Sequence, residues 1–144
     1  MSLNISLLLA TKWGSVFTFY PYWFELPEQE KDKVNVSKYG KQLRGWIQVH
    51  REKTSNLADG KESYYFSRDV EYSEQRVSHG PNRYRDEDID MKHLINNYME
   101  QMEQLGFKMI SYVSLALGLQ EQYLAERFNN PEPLILMRGF ISYC

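Results

Sequence analysis

The chain has 144 residues, enough for one domain with a real core, and its 42% hydrophobic and 25% charged content is that of a folded globular protein, which excludes intrinsic disorder. Seventeen basic against 19 acidic side chains give a formal charge of −2, without the clustered basic surplus that nucleic acid requires. One cysteine, Cys144, excludes an internal disulfide and a cysteine-rich zinc site and fits a reducing, cytoplasmic compartment.

In chain order, Ile5 to Ala10 is a short apolar run without a preceding Lys or Arg. It lacks the form of a signal peptide and is far shorter than the roughly 20 residues that span a bilayer, so it reads as a buried strand or helix start and implies no membrane partner. Trp13 to Phe24 is dense in aromatics, and Pro21 argues against one helix throughout. A short helix is expected from Pro27 to about Val34, with Pro27 at its first position and Glu28 and Glu30 at its positive end. Ser37 to Asp69 carries turn residues Gly40, Gly45 and Asp59-Gly60 between short β-favouring pieces, Trp46 to Val49 and Tyr64 to Phe66. His79 to Asn82 reads as a turn.

One long amphipathic helix is expected between Asp88 and Leu117, from Met91, Leu94, Ile95, Tyr98, Met102, Leu105, Met109, Ile110, Val113 and Leu117 at steps of three and four. Met91, Met99, Met102 and Met109 read as core filling rather than a binding groove. Gly118 suits the C-terminal cap, and Gly106 marks a close helix contact. A second helix runs from about Gln120 to Arg127, and Leu134 to Tyr143 reads as a strand. With no later strand to pair with, that run reads as an unfinished sheet edge and a surface for self-association.

Three blocks then stand in order: Phe24-Glu25-Leu26-Pro27-Glu28-Gln29-Glu30-Lys31 with Arg44-Gly45-Trp46; Lys61-Glu62-Ser63-Tyr64-Tyr65-Phe66-Ser67-Arg68-Asp69; and Gly80-Pro81-Asn82, the long helix, Leu117-Gly118-Leu119 and Phe128. Together they resemble the N-terminal region of the isopenicillin N synthase-like oxygenases, which include many 2-oxoglutarate-dependent dioxygenases. Trp46 replaces the family's usual Tyr, and Tyr84-Arg85 stands where Trp-Pro is usual. Met1 to Trp23 lacks the family's opening Gly-Phe-Phe and His-Gly.

The resemblance implies an α+β fold, the helix-rich N-terminal part of a jelly-roll (double-stranded β-helix) oxygenase. Its divisions are a divergent or misassigned segment at 1–23, a helical dioxygenase N-terminal-like region at 24–133, and the start of a truncated jelly-roll core at 134–144. It also implies Fe(II) and 2-oxoglutarate as cofactors of the full-length family and a small organic molecule as substrate. The family's His-x-Asp, distant His and Arg-x-Ser lie beyond the point matching Tyr143, so this span is expected to be inactive alone, without catalytic or metal residues. Arg44, Trp46, Lys61 and Glu62 are candidates for the substrate entrance, against a plainer role as ion-paired loop pins. His50-Arg51-Glu52 is a literal His-x-Glu, with His79 or His93 as a third ligand, but it falls in a loop-rich segment and is read as non-metal. No Gly-x-Ser-x-Gly elbow or phosphate loop is present. The reading from another class is a non-catalytic helical interaction module.

Overall fold

The computed structural model describes residues 21–71, 78–129 and 134–143, so the expectations for Ile5 to Ala10 and for Trp13 to Tyr20 lie outside the described residues. Residues 21–24 are helical and turn Trp23 and Phe24 into the core. Pro27 then caps α1 (Glu28–Asp32) from just outside rather than at its first position, with Glu28 and Glu30 in the first turn. A 3-10 turn, Val36–Lys38, is held by Asn35, whose Oδ1 accepts from the Ser37 N–H at 3.0 Å.

The chain enters β1 (Gly45–Ile47) at a position only glycine fills. Gly45 has φ +108°, and a Cβ there would stand 2.1 Å from the Val34 carbonyl oxygen, which accepts from the Trp46 N–H. A hairpin of β2 (Lys53–Thr54) and β3 (Leu57–Ala58), within the stretch expected as loop, turns through Ser55 and Asn56, both at positive φ. Two such residues match the twist of a two-residue hairpin.

Next, β4 (Lys61–Ser67) outgrows its expected three-residue piece and becomes the central strand of a sheet in the order β1-β4-β5. The other neighbour, β5 (Leu136–Ser142), pairs antiparallel with it along its full length, from Lys61 opposite Ser142 to Ser67 opposite Leu136. Among the described residues β5 has a partner on one side only. Between them runs α2 (Ile89–Ala116), closed by Gly118 at φ +71°. The Leu119 N–H donates to Ser114 O and the Gly118 N–H to Leu115 O, the paired bonds of a Schellman cap. Then α3 (Tyr123–Phe128) folds back on the buried Ser111 and Ser114, and its Leu124 N–H donates to Ser114 Oγ at 3.3 Å.

Side chains alternate along a strand. Glu62, Tyr64 and Phe66 therefore share the inner face of β4, and Ser63, Tyr65 and Ser67 the outer one. The inner face joins Trp23, Phe24, Val34, Trp46, Met91, Ile95 and Met99 in one core. Tyr64 stacks on Phe66 at 4.3 Å and meets Trp23 edge-on at 4.5 Å.

The helix face departs from expectation. Met91, Ile95 and Met99 are 1%, 2% and 7% exposed, yet Leu105, Met109 and Leu117 are 46%, 59% and 65% exposed, and Val113 is half exposed. Met99 belongs to the buried stripe and Leu105 does not. The reason is length. At 1.5 Å per residue the 28-residue helix runs about 42 Å, while a seven-residue strand spans about 23 Å. The described sheet is too short to cover both halves. Gly106 correspondingly has nothing within 4 Å of where a Cβ would stand, so the close contact expected there is absent among the described residues.

Candidate functional site

Of the four entrance candidates, the fold brings two together. Trp46 and Glu62 are both buried on the inner face, one from β1 and one from β4. The Trp46 Nε1–H donates to Glu62 Oε2 at 2.6 Å, Lys31 Nζ reaches both carboxylate oxygens at 2.8 and 3.0 Å, and the Tyr143 hydroxyl donates to Oε1. Lys31 Nζ also donates to Phe24 O at 3.0 Å and lies 5.3 Å from the Trp46 ring centre. A buried carboxylate is tolerable only when its lone pairs are met in this way. Burial, aided by the bond to Glu62, pushes the Tyr143 phenol up to about 12. Lys31 and Tyr143 are node members that the sequence reading misses.

The other two candidates lie elsewhere. Arg44 is buried, and its guanidinium donates to three carbonyls, Gln42 O at 2.7 Å, Leu43 O at 3.1 Å and Ser78 O at 2.7 Å. Burial pulls its pKa below the usual arginine value. It clasps the approach to β1 against Ser78. Lys61 faces away from Glu62 across the strand and pairs with Asp59 at 2.6 Å. Nearby, Asn82 closes the end of β4, accepting from the Ser67 N–H at 2.8 Å and donating to Ser67 O at 2.6 Å.

The outer face of the sheet holds a second polar cluster that the sequence reading does not assemble. Glu52 accepts from Ser63 Oγ at 2.7 Å, from the Tyr65 hydroxyl at 2.9 Å and from Arg138 Nη2. Arg138 Nε and Nη2 reach Ser63 Oγ at 3.1 and 2.6 Å, and its guanidinium carbon lies 5.1 Å from the Tyr65 ring and 5.3 Å from that of Phe140. Burial first, then Glu52, raises the Tyr65 pKa. The signal in the sequence is period two: Ser63 and Tyr65 on one strand, Arg138 and Phe140 on the next.

The described residues do not fit an iron site. His50 is exposed at φ +64°, Glu52 is taken up by three donors, and His93 is exposed on α2. Among the described residues no three His, Cys, Asp or Glu side chains converge as a metal site would require. No described helix is long and apolar enough to cross a membrane.

Comparison with known proteins agrees with this architecture. Residues 11–87 match the family described as non-haem dioxygenase in morphine synthesis N-terminal, and so take in part of the segment upstream of Phe24. The 1-aminocyclopropane-1-carboxylate oxidase of Dictyostelium discoideum is 26% identical over 127 residues, covering 84% of this chain and 34% of that protein. The chain thus spans about a third of that relative's length. A protein assigned to the 2OG-Fe(II) oxygenase family from Caulobacter crescentus superposes with a TM-score of 0.71 at 18% identity, over 91% of this chain and 43% of its own. A full-length Neurospora crassa protein, solved in complex with alpha-KG, gives 0.67 at 22% identity, over 90% of this chain and 40% of its own.

Proposed function

Since the chain belongs to the non-haem dioxygenase N-terminal family, we propose that it is the N-terminal portion of an Fe(II)/2-oxoglutarate-dependent oxygenase acting on a small organic molecule. The observation that carries this is the superposition of nine tenths of the chain on less than half of proteins of that fold. In this reading residues 24–133 form the helical scaffold, 134–144 open the jelly-roll core, and 1–23 precede the scaffold. The exposed second half of α2 and the open edge of β5 are where the remaining sheet would pack. Left open, that edge would favour self-association. The relatives' names support a small substrate: one acts on 1-aminocyclopropane-1-carboxylate, and another binds alpha-KG.

Iron and 2-oxoglutarate would be held by residues outside those described. Bound iron would supply the oxygen chemistry. This chain's part is to brace the sheet through the Glu62 node and the Arg44 clasp, with Arg44, Trp46, Lys61 and Glu62 acting near the substrate entrance through the loops they hold. The protein is expected in the cytoplasm.

The test has two arms. The chain alone should take up no tight Fe(II) in anaerobic titration and should leave 2-oxoglutarate intact. Grafted in place of the matching portion of the Caulobacter relative, it should support Fe(II)-dependent conversion of 2-oxoglutarate to succinate. A tight Fe(II) site in the chain alone that disappears in His50→Ala would overturn the reading, as would a folded chimera that binds neither group.

A further inference from the structure

We propose that Arg138, with Tyr65 and Phe140, forms a binding site on the outer face of the sheet for a small monocarboxylate with a planar apolar body. The inference rests on the small-molecule oxygenase reading above and narrows its substrate class. Leu136, Arg138 and Phe140 alternate onto the same face of β5, opposite Ser67, Tyr65 and Ser63 of β4. The guanidinium is fixed along one edge. Its Nε and Nη2 are taken by Ser63 Oγ and Glu52, and Glu52 is itself held by the Tyr65 hydroxyl.

An arginine offers five donors in a planar fork, and Nη1 of Arg138 donates to no described residue. That leaves part of a pre-oriented fork for an external acceptor. Around it lies apolar surface: Phe140 is 59% exposed and Leu136 48%. A fixed cation with a donor left open among the described residues, flanked by rings, recognises a charged head joined to an apolar body.

The neighbouring Glu52 sets how much charge the site shows. It is paired with Arg138 and offsets much of that cation's pull on any anion, whatever its charge, so discrimination falls to the apolar body beside Tyr65 and Phe140, which phosphate and 2-oxoglutarate lack. Charge assistance in turn favours a carboxylate over a neutral amide.

The test is a nitrogen-15 NMR titration of the full chain with benzoate, acetate, inorganic phosphate and 2-oxoglutarate, reading backbone and arginine side-chain signals. Benzoate should give saturable shifts confined to Leu136, Arg138, Phe140 and Tyr65, and should bind more tightly than the other three. Arg138→Gln should weaken benzoate by about tenfold or more, the loss of one charge-assisted contact. Phe140→Ala should reduce benzoate to the level of acetate and leave acetate unchanged, so the site stays testable if Arg138→Gln does not fold. Arg83→Gln, a guanidinium over Tyr39 at a different place in the fold, should change nothing. Benzoate shifts that survive Arg138→Gln, the absence of saturable shifts in a folded sample, or tighter binding of 2-oxoglutarate would each overturn the proposal. Neither iron nor turnover enters this titration. A negative result removes the site and leaves the oxygenase reading standing, while a failed chimera leaves a positive titration standing.

Discussion

Between Trp23 and Met99 the chain buries Trp23, Trp46, Tyr64, Phe66, Met91 and Ile95 almost completely; between Leu105 and Phe128 it leaves Leu105, Met109, Val113, Leu117 and Phe128 about half exposed or more. Both regions share α2 and the same spacing of apolar residues. What differs is the presence of a sheet beneath them. Helical periodicity records which face is meant for burial, and says nothing about whether the covering surface lies within the same stretch of chain. The first region is self-sufficient by this measure. The second is held among the described residues by a small seam, Ser111, Ser114 and Ala125, where α3 folds back.

The largest loss is expected at the polar node of the first region. Glu62→Ala leaves Lys31 buried without its partner and should destabilise the chain by about 3–5 kcal/mol, read from denaturant midpoints. A shift no larger than that of a surface variant would mean the node is wetter than its burial implies.

Next in size is a matched pair on one helix. Ile95→Ala should lose about 2–5 kcal/mol, while Leu105→Ala should stay within about 0.5 kcal/mol, the range of surface substitutions. Equal losses would show that the second half is covered after all.

Gly106 stands between the halves with open space around its Cβ position. Gly106→Ala should therefore raise stability by about 0.5–1 kcal/mol through helix propensity, and a loss would reveal a close neighbour.

The smallest expected effect concerns Tyr143, whose pKa moves from 10.0 to about 12 in the folded chain. Below 10 the phenol is protonated in both states and its contribution is whole. As pH climbs from 10 to 12 the unfolded phenol ionises first, so stability drains away. Tyr143→Phe should lack this alkaline component when the two urea series are compared across that window.

Much of the fold is legible in the residues. The long helix, its Gly118 cap, the terminal strand and the start of α1 all declare themselves through period, capping and charge. The β2–β3 hairpin does not, because Ser55-Asn56 lacks the Asn-Gly or Asp-Gly pair that marks such turns. The central role of β4 is hidden too. It is flanked on both sides and carries Glu62 inward, so it shows no clean apolar alternation. Both polar clusters depend on register across strands distant in sequence. Arg138 and Glu52 are 86 residues apart, and no local pattern could join them.

Amide hydrogen exchange along α2 separates the half that its own sheet covers from the half that no described sheet covers. The amides of Ile95 to Met99 should exchange only on global unfolding, while those of Met109 to Val113 should exchange through local opening and gain protection in the chimera with the Caulobacter relative. Equal protection of both segments in the chain alone, unchanged in the chimera, would contradict this.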